Sequence, residues 1–324
     1  MGPPLLALLL PLIIPVLASA AARPLAHRLE PRQATWLLCA AAVVLAGCAA
    51  AALALAAGFA AARLPALAQL GDYSLAPFST RDPVPVAGGI GAALALAGAA
   101  AALAARSRHR VRALLLSYRR AARLTARDGI VVLPGPDLEA YALPGWPGRI
   151  VVSGGLLDLL EPRRRAALIA HERAHLAGRH HLFTITAWMA AAACPLLIPV
   201  ARAVEFTVER WADEEAAAAT GDRRLVAETI GQVAVLATKR GARGALRLGI
   251  TGSATARQIS RRRPSVAWAG PVPRRVAALL AAPPRARRRV LLAACAVVVL
   301  LAGLAVLDAA RDLHALLELA QAGR

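Results

Sequence analysis

The sequence predicts a mostly α-helical, multi-span membrane protein that carries one α+β domain. Three observations lead to this prediction. Fifty-eight per cent of the 324 residues are hydrophobic, and they are gathered into runs of about 18 residues or more, the length that crosses a bilayer. The basic residues, 39 Lys and Arg against 19 Asp and Glu, fall mainly between these runs. A stretch of roughly 180 residues separates the third run from the last, which is enough for one compact domain.

Four apolar runs are predicted to be transmembrane helices, at residues 5–22, 34–57, 86–105 and 290–307. The loop after the first run carries Arg23, Arg28 and Arg32. The positive-inside rule therefore places that loop in the cytoplasm and the N-terminus outside. The predicted division is three transmembrane helices in 1–105, a cytoplasmic domain in 106–289, and a last transmembrane helix with a short tail in 290–324.

A fifth apolar run, residues 182–200, is interrupted by Pro195 and Pro199. The segment before it, 106–181, holds 14 Arg, and the segment after it, 201–289, holds 18 Lys and Arg. Both segments are therefore predicted to be cytoplasmic, whereas a single crossing would separate them. We expect a re-entrant or membrane-buried element that is kinked at its prolines. The protein is expected to be a multi-pass protein of the plasma membrane, in contact with lipids.

Several segments of the cytoplasmic domain have the patterns of regular structure. The sequence predicts a basic helix over 111–126 and strands over 130–133 and 148–153. Pro162 suits the first turn of a helix that runs to about Arg179. A further helix over 205–219 is stopped by Gly221, and Asp222 is predicted to cap the helix that follows.

The helix predicted after Pro162 contains His171-Glu172-Arg173-Ala174-His175. Residues four apart share one helix face, so the two imidazoles can bind one zinc ion. Glu172 lies beside them and can accept a proton from the attacking water. This is the HExxH pattern of zinc peptidases. The strand at 149–153, just before this helix, would give an extended peptide an edge to pair with.

A zinc site of this type needs a third protein ligand. Glu205, Glu209 and Asp213 are spaced four apart and form a stripe of carboxylates on one helix face. One of them could bind zinc while Asp213 orients a ligand histidine. His181 instead has the spacing of the metzincins, but Met189 is poorly placed for the methionine turn that those enzymes need. We favour Glu209, with Glu205 and His181 as alternatives.

Three strings of the sequence, GRIVVSGGLLDLL, ALIAHERAHLAGRHH and VERWADEEAAAATGDRRLVAETI, resemble the BlaR/MecR-type membrane metallopeptidases. These are gluzincins of the antirepressor class, and the heat-shock membrane peptidases of the HtpX type are more distantly similar. The resemblance covers about residues 106–240. It implies a gluzincin-like zinc peptidase domain with one zinc ion per chain, bound by His171, His175 and Glu209. It also implies Glu172 as the catalytic carboxylate and Asp213 as the residue that supports a ligand histidine.

The resemblance implies a protein or peptide substrate, such as a cytoplasmic repressor or the protein itself. In the β-lactam-sensing members a penicillin-binding domain follows the last span. Here residues 308–324 follow it and contain no Ser-x-x-Lys motif, so we do not expect antibiotic sensing.

Two other classes of function remain. A signal transducer or scaffold could keep the peptidase fold with weak proteolysis, although the complete set of predicted site residues argues against it. The net charge of +20 could suggest nucleic-acid binding, but aromatic residues make up only 4% of the chain and no recognition module is present. We therefore expect no direct contact with nucleic acid.

Overall fold

A computed structural model describes residues 3–76, 85–239, 271–282 and 288–322. These residues form a mostly helical protein with one three-stranded sheet. The helices are α1 (Pro3–Arg28), α2 (Pro31–Ala61), α3 (Pro65–Gly71), α4 (Val86–Arg123), α5 (Gly154–Leu159), α6 (Pro162–Ala177), α7 (His180–Ala193), α8 (Ile198–Thr220), α9 (Arg223–Lys239), α10 (Pro271–Leu280) and α11 (Arg288–Ala322). The strands are β1 (Ile130–Leu133), β2 (Ala140–Leu143) and β3 (Arg149–Ser153).

Three helices are long and apolar enough to cross a membrane, namely Leu8–Arg28 of α1, Pro31–Ala61 (α2) and Val86–Arg123 (α4). The helices α1, α2 and α4 contain the first three predicted spans, so those predictions of long apolar helices are confirmed. The fourth predicted span, 290–307, lies within α11. Several of its side chains, including those of residues 290–292, are outside the described part of the chain, and this crossing stays a prediction.

The separate basic helix predicted over 111–126 is wrong in its boundaries. α4 runs without interruption from Val86 to Arg123, so the third apolar run and the basic segment are one helix. The physical reason is that residues 99–123 contain no Gly or Pro and are rich in Ala, Leu and Arg, the strongest helix formers. A change from apolar to charged residues does not end a helix.

The fifth apolar run forms two helices, because the chain turns back between α7 and α8. α7 ends at Ala193, Cys194 is extended before Pro195, and a short 3₁₀ turn leads into α8. Proline disfavours helical geometry in the residue before it and lacks the N–H that would continue α7. We call residues 180–220 the α7–α8 hairpin. Its apolar residues share one core with those of α1 and α2.

Contacts with α1 show how far the tip of the α7–α8 hairpin reaches along the bundle. At the tip, the carbonyl of Leu196 accepts a hydrogen bond from the Ser19 hydroxyl. Halfway along α8, the buried Arg210 donates to the carbonyl of Ala26 at 2.7 Å. Ser19 lies nine residues before the end of α1 at Arg28, which corresponds to about 14 Å along a helix axis. The tip therefore lies beside the middle of α1.

The sheet has the strand order β1-β3-β2, with β3 parallel to β1 and antiparallel to β2. The two predicted strands are confirmed as β1 and β3. The expectation that residues 149–153 offer a free edge is wrong, because β3 is the central strand and is paired on both sides. The edge strand next to α6 is β2, whose sequence Ala-Tyr-Ala-Leu carries a weak strand signal.

Most of the predicted helix boundaries around the domain are confirmed, but α8 begins at Ile198 rather than at 205, because Pro199 fits the first turn of a helix. Pro162 begins α6, and α8 ends at Thr220, where Gly221 takes a φ of +68°. Only a residue without Cβ adopts that backbone conformation readily. The carboxylate of Asp222 then accepts a hydrogen bond from the N–H of Leu225 at 2.9 Å, which caps α9.

Candidate metal centre

The two histidines of the HExxH pattern project from one face of α6. His171 and His175 are four residues apart, about one helical turn, and their Nε2 atoms are 3.2 Å apart. Their side chains are only 11% and 8% exposed. The site therefore starts with two buried imidazoles that point toward the same place.

Glu209 reaches these histidines from α8. Its Oε2 is 3.7 Å from His171 Nε2, and its Oε1 is 3.6 Å from His175 Nε2. One possible ligand atom from each of the three residues lies within 4.8 Å of the others. The turn between α7 and α8 makes this possible, because it returns the chain so that α8 packs against α6.

The donor atoms of this group suit a metal ion. His171 Nδ1 is 3.0 Å from an oxygen of Asp213, and an ionised carboxylate can only accept, so this contact favours the tautomer with the proton on Nδ1. The lone pair of His171 Nε2 then points toward His175 Nε2 and the carboxylate of Glu209. When both Nε2 atoms offer lone pairs, this set of acceptors suits a bound cation. Ligand atoms of a tetrahedral zinc, each about 2.0–2.1 Å from the metal, lie about 3.3 Å apart, which is close to the spacing here.

Glu172 is buried beside the two histidines, with 2% of its surface exposed. Burial raises the pKa of its carboxyl to about 7; His171 acts against this shift and Glu209 adds to it. The backbone N–H of Ala142 in β2 donates a hydrogen bond to the carboxyl. Its Oε2 has no hydrogen-bond partner among the described residues. Glu172 therefore has one oxygen free to accept a proton.

A buried arginine of α10, which no sequence pattern indicated, joins the site. Arg275 Nη1 is 2.8 Å from Glu209 Oε2, while its Nε and Nη2 donate to the two oxygens of Asp213 at 2.8 and 2.6 Å. Burial alone would raise the pKa of the Asp213 carboxyl, but Arg275 holds that pKa well below its usual range. Arg275 therefore keeps Asp213 ionised and fixed toward His171.

His180 is a second residue that sequence reasoning missed. Its ring is fully buried, and its Nδ1 lies 3.1 Å from Nδ1 of His175. The ring also packs on Trp211, with 4.5 Å between ring centroids. A Cβ added at Gly178 would lie 2.3 Å from His180 Nε2. Gly178 thus leaves room for the imidazole that contacts His175.

The two alternative third ligands lie outside the His171, His175 and Glu209 group. Glu205 accepts a hydrogen bond from the indole N–H of Trp188 at 2.7 Å. His181 follows His180 in the first turn of α7 and is not part of the group that the structure brings together. All of the favoured site residues, Asp213 included, are therefore close to one another, and the two alternatives are not.

Comparison with known proteins gives one match. Residues 105–191 match the family model described as Peptidase family M48. The matched segment contains the second half of α4, the sheet and α6 with its HExxH pattern, but it ends before Glu209 and Asp213. It covers about a quarter of the chain. No curated protein and no solved structure matches the sequence.

The match supports a coarse conclusion about function. M48 peptidases are metallopeptidases that typically depend on zinc, and a group of residues that could hold a metal ion lies at the matched motif. The match is consistent with both types of peptidase that the sequence resembles and does not distinguish them. Together with three helices suited to a membrane, it indicates a membrane-associated metallopeptidase.

Proposed function

We propose that this protein is an integral-membrane, zinc-dependent endopeptidase that cleaves protein substrates at the cytoplasmic face of the membrane. The observation that carries the proposal is that Glu209 lies beside His171 and His175, although it belongs to α8 and the histidines to α6, with the whole of α7 between these two helices in the sequence. Chance HExxH patterns have no reason to be completed in this way by a third ligand from another helix.

Each site residue has one task in this proposal. His171, His175 and Glu209 would hold one zinc ion per chain, which would polarise the scissile carbonyl and make the attacking water more acidic. Glu172 accepts the proton of that water on its free oxygen and passes it to the leaving amine. Asp213, held by Arg275, orients His171. A hydrogen-bond partner on the ring nitrogen that does not bind the metal fixes the tautomer and the ring orientation of a ligand histidine.

The edge of β2 provides a place for the substrate backbone. β2 pairs only with β3 among the described residues, and the hydrogen bond between Ala142 and Glu172 places this strand beside the site. An extended peptide can add to such an edge by main-chain hydrogen bonds. The scissile bond would then lie next to Glu172.

The position of the site along the helix bundle supports cleavage near the membrane surface. Glu209 lies one residue before Arg210, which bonds to Ala26 near the end of α1. The arginine-rich segments on both sides of the α7–α8 hairpin favour the cytoplasmic side for this end of the bundle. We therefore keep the proposed division into 1–105, 106–289 and 290–324, with 182–200 buried in the membrane without crossing it.

The BlaR/MecR-type resemblance refines the proposal further. It suggests regulatory proteolysis, with a cytoplasmic repressor or the protein itself as the substrate. The burial of His171, Glu172 and His175, together with the approach of Glu209 to both histidines, favours an active enzyme over a proteolytically weak scaffold.

Removal of metal tests the proposed activity. The purified full chain in lipid vesicles should cleave an unfolded reporter polypeptide, lose this activity with a zinc chelator such as 1,10-phenanthroline, and regain it when zinc is added back. The non-chelating isomer 1,7-phenanthroline is the matched control and should have no effect. Cleavage that continues with full rate after the metal has been removed would contradict the proposal.

Single-cysteine labelling tests the proposed topology. The background chain has its four cysteines replaced by alanine: Cys39, Cys48, Cys194 and Cys295. Arg163 precedes the α7–α8 hairpin and Arg224 follows it, and their side chains are 76% and 82% exposed. A membrane-impermeant maleimide added to intact cells should label Gln69→Cys but neither Arg163→Cys nor Arg224→Cys, which should react after lysis. Labelling of Arg224→Cys without Arg163→Cys in intact cells would mean that the hairpin crosses the membrane.

A further inference from the structure

We propose that the cavity between the end of α4 and the sheet is a side-chain subsite for an acidic residue of the substrate. The proposal rests on the proposed peptidase function and on pairing of the substrate with β2. It concerns the face of the sheet that lies opposite α6, away from the metal centre.

The cavity has a volume of about 240 Å³ and combines an apolar floor with a basic rim. The floor and walls are formed by Leu124, Leu133, Tyr141, Leu143 and Val151. The rim is formed by Arg120 and Arg123 in the last turn of α4. An aliphatic stem with a carboxylate at its end, as in glutamate, matches both parts.

Arg120 and Arg123 are available to bind such a carboxylate. Both side chains are exposed, and neither forms an ion pair with a carboxylate in the part of the chain that the structure describes. Some other arginines of the domain do form ion pairs, as Arg223 does with Glu214 and Arg275 with Asp213. Two guanidinium groups beside one apolar cavity therefore favour an anionic group over a neutral or cationic one.

The pleat of the sheet connects this cavity with the metal centre. In β2, Ala140 packs in the core shared with α6, whereas Tyr141 and Leu143 pack on the opposite face, near the end of α4. A peptide strand added to β2 has the same alternation, because successive side chains point to opposite faces of a sheet. If one substrate residue faces the metal centre, its neighbours in the chain face the cavity.

The alternation also predicts where the acidic residue lies. Ala142 is in register with Ile150 on the α6 side of the sheet and bonds to Glu172. The substrate residues that pair beside Ala142 are therefore the ones that flank the scissile bond. The acidic residue should therefore lie within about two positions of the bond that is cleaved, on the strand face opposite Glu172.

Paired peptides test the subsite in the full-length protein in lipid vesicles. Internally quenched peptides carry Glu, Gln, Leu or Lys at one varied position, scanned across the two residues on each side of the cleaved bond. At one of these positions, the wild-type chain should cleave the Glu peptide with a kcat/KM about fivefold above that of the Gln peptide. A factor of this size is expected for an exposed ion pair. The Glu preference should shrink as the salt concentration rises.

Variants of the rim identify the residues that create the preference. The double variant Arg120→Gln, Arg123→Gln should cleave the Glu and Gln peptides with about the same kcat/KM. The double variant Arg120→Glu, Arg123→Glu should cleave the Lys peptide with the highest kcat/KM. Arg119→Gln is the matched control, since Arg119 is an exposed arginine of the same helix that does not line the cavity. It should keep the wild-type ratio.

Equilibrium binding of the same peptides to the Glu172→Gln chain separates the subsite from the enzyme activity. A Glu preference in binding that depends on Arg120 and Arg123, without cleavage by the wild-type chain, would support the subsite and overturn the proposed function. Equal kcat/KM for Glu and Gln peptides, a preference for Leu, or a Glu preference that persists in the double variant would overturn the subsite while leaving the peptidase in place. Neither cleavage nor binding of any peptide would overturn both.

Discussion

Replacing Glu172 with Gln is expected to lower the rate of peptide cleavage by about 10²–10⁴-fold, the contribution of a general base. The amide is nearly the same size as the carboxyl group, but it cannot accept the proton of the attacking water. Because Glu172 is not one of the three residues that meet at the metal centre, zinc content should stay at the wild-type level. Cleavage rates measured at matched zinc content give the comparison.

Glu161→Gln is the control for this experiment. Glu161 is an exposed carboxylate just before α6 and lies outside the metal centre, so its variant should cleave at the wild-type rate. Robust proteolysis by Glu172→Gln would contradict the assigned role of Glu172. Loss of zinc in the same variant would instead place Glu172 among the ligands.

Glu209→Ala is expected to lose most of its bound zinc and all detectable activity, while His181→Ala keeps both. A catalytic zinc site uses three protein ligands, so two histidines alone bind the metal weakly. The variant also removes the carboxylate that Arg275 contacts at 2.8 Å, but Asp213 still pairs with this arginine. The side chain of Glu209 is 24% exposed, so its truncation leaves no large buried cavity. If His181 were the third ligand, the two outcomes would reverse.

Local sequence patterns were sufficient for much of the candidate site. His171 and His175 lie four residues apart within one helix, and so do Glu209 and Asp213. Each pair therefore shares one helix face, as its spacing predicted. The prolines at 195 and 199 indicated a break, and the structure shows the turn that returns α8 to α6. Spacing within a helix and breaks at proline are properties of the local chain, and a single sequence contains them.

Contacts between distant segments could not be predicted in the same way. Arg275 is 62 residues from Asp213 and is one of many arginines in a basic stretch without periodicity. His180 looks no different from His181 in sequence, and only the helix geometry decides which ring meets His175. The strand β2 was missed because alanine has a low strand propensity, and it forms here by pairing with β3. In each case the tertiary contact, rather than the local preference, determines the outcome.

The zinc content of the purified full-length protein tests the central claim most directly. Metal analysis by mass spectrometry should find close to one zinc ion per chain in the wild-type protein and in His181→Ala, and close to none in Glu209→Ala. A folded state of each variant is checked by its helical circular dichroism signal. Full zinc occupancy in folded Glu209→Ala would contradict the account of the metal centre, and with it the proposed function.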